Sequence, residues 1–245
     1  MQEIKQQAEA FRTRLDELRQ ANPPAGFTWY GYDIMGNIGA LNGLLTGANR
    51  QLLEGLGAGP VADIGAADGD LGFFLESIGV EVDIIDYPPT NWNGLQGARR
   101  LKELLESRVA IHEIDLDSQF RLPRENYSLV FLLGILYHLK NPYYALEHLA
   151  RVSSQLLLST RITRYSRDGG IDISALPVAY LVAADECNND ATNYWLFTET
   201  GLRQIVDRAG WEVSDYISYG DLEQSNPQDN EHDQRAFMLL TSRIR

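Results

Sequence analysis

The chain has 245 residues, 44% of them apolar and 10% aromatic, and its 34 acidic against 21 basic side chains give a net charge of −13. That length provides one large domain, or a domain with a lid, at roughly 150 residues per domain, and it needs no disulfide or structural metal to fold. The apolar content excludes a disordered chain, the single cysteine, Cys187, excludes an intramolecular disulfide, and the longest near-apolar run, Leu129 to Tyr137, is half of what a membrane span needs.

Residues 2–20 place Ile4, Ala8, Phe11, Leu15 and Leu18 three or four apart among charges, which predicts an amphipathic helix lying on its own domain or on a second copy in a homodimer. Asn22-Pro23-Pro24 ends it, because proline disfavours helix before itself. No secretory-type hydrophobic segment is present here, so the expectation is a soluble, cytoplasmic protein. Residues 39–56 read as a second helix interrupted by glycine. These elements define an N-terminal helical extension, residues 1–57, ahead of a larger domain, residues 58–245.

From Pro60 the pattern alternates. Val61–Ile64, Val80–Ile85, Arg108–Ile111, Leu129–Leu133 and Gln155–Leu158 are short branched-apolar strands, separated by helices over 70–78, 96–107 and 142–151. Such βαβ units specify a mostly parallel sheet buried on both faces. Residues 161–197 carry no clean period and are predicted as a lid or substrate segment. A helix follows over Thr198–Ala209, with Thr198 as cap, then two strands, Trp211–Tyr219 and Ala236–Ser242. The acid-rich stretch between them, DLEQSNPQDNEHD, is an exposed loop. The fold class is α/β, a Rossmann-like sheet of seven strands with helices on both faces.

The chemistry concentrates where the first strand runs into a small-residue turn and a helix: Asp63-Ile64-Gly65-Ala66-Ala67-Asp68-Gly69. Glycine and alanine let a ligand lie against the backbone there, and the helix start offers free N–H groups. The dinucleotide pattern Gly-x-Gly-x-x-Gly fails, because the third position from Gly65 is Ala67, and Asp63 at the strand end repels a pyrophosphate. An acid in that place suits a cationic ligand.

The run resembles the first motif of class I S-adenosylmethionine-dependent methyltransferases, an acid-x-Gly-x-Gly-x-Gly pattern that Asp63, Gly65 and Gly69 match and in which Ala67 replaces the central glycine. That resemblance implies S-adenosyl-L-methionine as the donor. Asp63 then faces its ammonium, Asp86 with Tyr87 at the second strand end takes the ribose diol, Asp115 and Leu116 after the third strand take the adenine, and Leu133 and Gly134 lie beside it. A carboxylate accepting from both ribose hydroxyls contributes about 1.5–3 kcal/mol per bond.

The stretch Leu133-Gly134-Ile135-Leu136-Tyr137-His138-Leu139-Lys140-Asn141-Pro142 further resembles the Met-Gly-Val-Leu-Tyr-His-Arg-x-x-Pro segment of the tRNA wobble-uridine 5-oxyacetic acid synthases, which transfer a carboxymethyl group. Gly26-Phe27-Thr28-Trp29-Tyr30-Gly31 is similar to their Pro-Phe-Ser-Leu-Tyr-Gly, and Arg235-Ala236-Phe237 to their Arg-Ala-Val. The likeness covers roughly residues 22–160 and the last strand. It implies that Leu133 and Tyr137 lie beside the donor and that Arg235 reaches the transferable group. The lysine and tryptophan with which those enzymes hold the donor's extra carboxylate have no counterpart in NPPAG or DIMGNIGALNG. With Arg235 alone left to pair with it, the sequence favours the plain donor and methyl transfer.

Tyr137 and His138 are the candidate bases, with helix capping as the simpler reading of His138. Trp29, Tyr30, Asn193, Tyr194 and Trp195, the last three in an aromatic and carboxamide-rich stretch that also holds Asn188 and Asn189, are candidates for a small-molecule acceptor or for a lid packed on the sheet. A tRNA acceptor is disfavoured by the net charge unless Arg161, Arg164 and Arg167 form a local basic stripe, solvated surface arginines being the simpler reading. A donor-binding regulator without turnover is the third reading. His112, His138, His148 and His232 are scattered without ligand spacing, so no metal is expected.

Overall fold

The computed structural model describes residues 2–167, 170–187, 190–228 and 231–245. The chain folds as two compact units, one of residues 1–115 and 119–131, the other of residues 116–118 and 132–245.

In the first unit, helix α1 (Gln2–Ala21) buries Ile4, Ala8, Phe11 and Leu15, the stripe that its spacing predicts, and half-buries Leu18. Phe11 packs against Phe74 with ring centroids 5.8 Å apart, so α1 lies on its own unit. The second predicted helix is broken. Helix α2 spans only Asn37–Leu44, and a 3-10 turn follows over Gly47–Gln51. The α-helical run ends where Leu45 and Thr46 turn extended, with ψ of 114° and 165°.

Strands β1 (Val61–Ile64), β2 (Val82–Asp86) and β3 (Ala110–Glu113) pair in parallel, Val61 beside Val82 and Asp86 beside Glu113. With the first residues of β4 (Leu129–Leu133) they form the order β3-β2-β1-β4. All residues of β1, β2 and β4 are buried, the pattern of a parallel sheet covered on both faces, while β3 at the edge is half exposed. Helices α3 (Asp70–Ser77) and α4 (Gln96–Leu105) connect these strands. The second strand starts two residues later than its apolar run suggests, because the Val80 N–H closes the end of α3 on the Leu75 carbonyl.

In the second unit, the end of β4 leads to a 3-10 turn (Leu136–His138), helix α5 (Pro142–Val152) and strand β5 (Gln155–Ile162). Strand β9 (Gln234–Ser242) runs antiparallel to β5 along its whole length, and β8 (Trp211–Gly220) pairs with β9 through a bulge between Val213 and Asp215. The predicted lid segment holds two further strands, β6 (Ala179–Leu181) and β7 (Trp195–Phe197), with β7 parallel to β5 at Ile162. Among the described residues there are nine strands, the seven predicted and two of three residues each, too short to show a period. Helix α6 (Glu199–Arg208) starts at Thr198, whose hydroxyl accepts from the Gly201 N–H at 3.0 Å, the predicted cap. The buried Trp211 indole donates to the Leu146 carbonyl at 2.9 Å and ties β8 to α5. Among the described residues, no helix is long and apolar enough to cross a membrane.

Candidate active site

Strand β1 delivers Asp63 to the start of α3. The carboxylate is 4% exposed, and its Oδ2 accepts the Gly72 N–H at 2.9 Å, so a side chain from the strand caps the helix. Burial pushes its pKa up to about 7, with the Asp86 and Asp70 carboxylates adding to the rise against the Gly72 hydrogen bond. Between strand and helix, Gly65, Ala67 and Gly69 all take positive φ, at +71°, +53° and +84°. A methyl on Gly69 would lie 2.8 Å from Phe73 and 2.9 Å from Ile84, so this position admits only glycine. Ala67 departs from the glycine pattern in conformation as well as in volume, since a left-handed alanine costs about 1–2 kcal/mol.

The loop is held from β2. Asp86 Oδ2 accepts the Ala67 N–H and the Asn91 amide, both at 3.0 Å, and Oδ1 accepts the Tyr87 N–H at 2.7 Å. The Asn91 amide also donates to the Ala67 carbonyl at 3.2 Å. Burial raises the Asp86 pKa, partly offset by the bonds from Asn91, Tyr87 and Ala67. Those bonds use three of about four acceptor positions, so the carboxylate can receive a further hydroxyl.

Two residues that sequence reasoning missed, Asp68 and Asn93, connect this loop to the N-terminal segment. Asp68 accepts the Tyr30 N–H at 2.8 Å and the Asn93 amide at 2.8 Å, and Asn93 also donates to the Thr28 carbonyl. Arg19 of α1 bonds Asp70 at 2.5 Å and stands 5.5 Å from the Trp29 ring centroid. Trp29 packs edge-on against Phe27. Tyr30 meets the rings of Tyr32 and Trp92, which are 70% and 62% exposed. Asp68 stands inside the motif itself, the one signal that could have drawn attention to it. Asp115, half-buried, follows β3, where the Ile114 N–H bonds the Asp86 carbonyl.

The second unit holds the remaining candidates. Leu116 and Leu133 are buried. Gly134 has φ +77° and donates its N–H to the Ser159 carbonyl at 2.9 Å. A methyl there would come within 3.4 Å of an Arg235 guanidinium nitrogen and 3.8 Å of the Tyr137 hydroxyl, so these two groups converge over Gly134. Arg235 stands 5.8 Å from the Tyr137 ring centroid and 3.9 Å from the Asp233 carboxylate.

His138 does not cap α5. Its Nδ1 lies 3.0 Å from the Thr192 hydroxyl and 3.2 Å from the Thr192 carbonyl oxygen, whereas the Asn141 N–H bonds the Asp117 carboxylate at 2.9 Å. Burial lowers the His138 pKa, and Arg235 lowers it further against the Thr192 bond and the Asp190 charge.

Of the three aromatic and carboxamide candidates, Asn193 is buried and donates to the Cys187 carbonyl at 3.1 Å. The Tyr194 N–H bonds the Tyr137 carbonyl at 2.8 Å, and the Trp195 indole bonds the Lys140 carbonyl at 3.3 Å. Asn188 and Asn189 lie outside the described residues. Cys187 is buried, which pushes its thiol up to about 11 and keeps it protonated at neutral pH. A half-open cavity of about 160 Å³ at the end of β5 is lined by Thr163, Arg164, Ser174, Glu199, Thr200 and Gln234 among others. The three arginines do not gather into one stripe: Arg161 is buried 2.9 Å from Asp233, Arg164 lines this cavity, and Arg167 pairs with Asp185 at 3.2 Å.

No family model matches the chain, and no curated protein sequence does. Solved structures match its fold. The crystal structure of the N-terminal domain of EvdMO1 with SAH bound is 16% identical, with a TM-score of 0.62, over 99% of this chain and 97% of that one. A proposed methyltransferase from Bacillus halodurans C-125 is 14% identical, with a TM-score of 0.56, over 80% and 99%. The 1,6-didemethyltoxoflavin-N1-methyltransferase of Burkholderia thailandensis, with 1,6-didemethyltoxoflavin and S-adenosylhomocysteine bound, is 18% identical, with a TM-score of 0.51, over 78% and 74%. At these identities the likeness is one of fold: the chain has the Rossmann-like α/β fold of methyltransferases.

Proposed function

We propose that the protein is an S-adenosylmethionine-dependent methyltransferase acting on a small-molecule acceptor. The observation that carries this reading is the pair of buried carboxylates, Asp63 and Asp86, held to the left-handed loop Gly65–Gly69 by its own and the helix's N–H groups. Asp86 suits a ribose diol, and Asp63 suits an ammonium and repels a pyrophosphate, so with Ala67 in place of the second glycine the loop fits this donor better than a dinucleotide. Asp63 takes the ammonium, Gly65, Ala67 and Gly69 the amino-acid chain, Asp86 and Tyr87 the ribose, Asp115 and Leu116 the adenine, and Leu133 and Gly134 an edge of the donor. When bound, S-adenosylmethionine supplies a methyl group on a sulfonium, which departs as neutral S-adenosylhomocysteine. Tyr137 and Arg235 orient the acceptor, and Tyr137 or His138 receives its proton. Trp29, Tyr30 and the 193–195 segment shape acceptor binding.

The SAH bound to the N-terminal domain of EvdMO1 and to the toxoflavin enzyme supports the donor assignment. The small acceptor in the latter, and the crystallisation of the EvdMO1 domain in the presence of SAH and D-fucose, support a small acceptor here. The dispersal of the three arginines supports it over tRNA. One observation favours a second reading, transfer of a carboxymethyl group: the Arg235 guanidinium beside Gly134 and Tyr137 could pair with a donor carboxylate.

Calorimetry with S-adenosylmethionine, carboxy-S-adenosylmethionine and NAD separates these readings. Tighter binding of the plain donor supports methyl transfer, and tighter binding of the carboxylated donor replaces it with the second reading. NAD alone, or nothing, binding overturns both. Donor binding with no methyl transfer to any acceptor, and so no S-adenosylhomocysteine formed, would leave a regulatory protein.

A further inference from the structure

His138 does not stand alone. Its Nδ1 faces two oxygens of Thr192, the carbonyl at 3.2 Å and the hydroxyl at 3.0 Å. A carbonyl oxygen only accepts, so Nδ1 carries the ring proton. The Thr192 hydroxyl spends its own hydrogen on Asp190, donating to Oδ1 at 2.6 Å, and the same oxygen receives the Thr192 N–H at 2.9 Å. That leaves the hydroxyl's lone pairs turned toward Nδ1. Both donors, Nδ1–H and Oγ–H, therefore point toward the Asp190 carboxylate, and Nε2 is left without a proton and without a hydrogen bond among the described residues.

We propose that Asp190 and Thr192 are positioning residues that lock His138 in its Nδ1–H tautomer and present Nε2 as the general base for a hydroxyl acceptor. The inference rests on the methyl-transfer reading for the identity of the reaction and on geometry for the state of the ring. The proton step is simple: the acceptor O–H bond breaks, its electron pair stays on oxygen, and the proton forms a bond to Nε2 of His138. An alcohol or phenol needs this help, since it keeps its proton at neutral pH, whereas an unprotonated amine already offers a lone pair. The charged and titratable groups around the ring are the Asp190 carboxylate, which favours its protonation, the Arg235 guanidinium, which opposes it, and the Tyr137 phenol, whose ring centroid lies 4.2 Å away. Lys140, two residues on, turns its ammonium over the Tyr194 ring at 5.6 Å. Burial and Arg235 together keep the imidazole neutral, the state a base requires.

Long-range proton–nitrogen correlation spectra of the 15N-labelled chain read the tautomer directly, with His138→Gln assigning the signals. The expected wild-type spectrum at pH 7 shows a protonated Nδ1 and an unprotonated Nε2, titrating below an ordinary histidine. In Asp190→Ala the Thr192 hydroxyl is free to turn its hydrogen toward Nδ1, and the tautomer ratio should move toward Nε2–H by about fivefold, the weight of one hydrogen bond. Thr192→Val, which removes the hydroxyl and keeps the fold of an exposed turn, should also change the ratio. An Nε2–H tautomer in the wild type overturns the proposal, as does a spectrum that neither substitution alters. None of these outcomes depends on donor binding, so failure of the methyl-transfer reading shows separately in the calorimetry.

Discussion

Substituting Asp63 by Asn separates what this carboxylate does for the ligand from what it costs the fold. The amide keeps an oxygen for the Gly72 N–H and removes the charge. A folded pKa of about 7 against an ordinary 3.8 is a rise of about three units, and at about 1.4 kcal/mol each the ionised form costs on the order of 4 kcal/mol. The sign follows from proton binding. Between pH 3.8 and about 7 the folded chain holds a proton that the unfolded chain has lost, so this contribution falls as pH rises through that window and its loss is complete above it. Relaxation and the amide's own burial reduce the observable gain to about 1–2 kcal/mol at pH 8, and for a chain of this size each kcal/mol moves Tm by about 2–4 °C. Thermal melts at pH 5 and pH 8 should therefore show Asp63→Asn more stable than wild type at pH 8, with the gap shrinking at pH 5. Donor affinity should move oppositely. An ionised Asp63 opposite an ammonium makes wild-type binding about tenfold weaker at pH 6 than at pH 8, while the variant binds weakly at both. A melting gap independent of pH, together with a flat wild-type affinity, would refute the reasoning and reduce Asp63 to an ordinary helix cap.

Asp86→Asn loses the charge and, because Ala67 and Tyr87 bond different carboxylate oxygens and an amide keeps only one, leaves one of these N–H groups without its acceptor, so calorimetry should show donor affinity reduced by about tenfold or more and melts a loss of about 1–3 kcal/mol. Arg235→Ala should leave affinity for S-adenosylhomocysteine within about twofold and lower the affinity for carboxy-S-adenosylmethionine relative to the plain donor, since guanidinium–carboxylate bonds are the stronger kind. Thr198→Ala removes the cap of α6 and should cost about 1 kcal/mol in denaturant unfolding without altering donor affinity. A loss of donor binding in that last variant would place α6 in the site.

The strand ends were legible in the sequence because local rules decide them. Branched apolar runs end at Ile64, just after Asp63, and at Ile85, just before Asp86, and an acid beside small residues marks the carboxyl end of a strand, although both carboxylates stay buried. Element boundaries moved where the backbone found another local conformation or partner, as when Val80 closes α3 or extended Leu45 and Thr46 break the helical stretch before β1. What the sequence could not display was partnership over distance. His138 and Thr192 are 54 positions apart, and Asn93 and Thr28 are 65 apart. Nothing in the period or composition of either segment announces the other. The same holds for β6 and β7, whose three-residue length leaves pairing, and not propensity, to define them. The arginines at 161, 164 and 167 show the limit from the other side. Close spacing in the chain suggests one patch, yet Arg161 lies near the end of β5, buried on Asp233, while Arg164 and Arg167 lie beyond the strand with different surroundings.

Ala67 has a thermodynamic consequence for any ligand of its loop. Its left-handed backbone is unfavourable for a residue with a Cβ, and three hydrogen bonds, its N–H to Asp86 and the Asn91 amide to its carbonyl and to Asp86, hold it there. The strain is thus met when the chain folds and not when a ligand arrives. A ligand meeting a loop already fixed in this shape loses little backbone entropy on binding. Ala67→Gly would relax the torsion and also widen the range of shapes the free loop can sample. The expected signature is a binding enthalpy that scarcely changes, accompanied by a less favourable binding entropy.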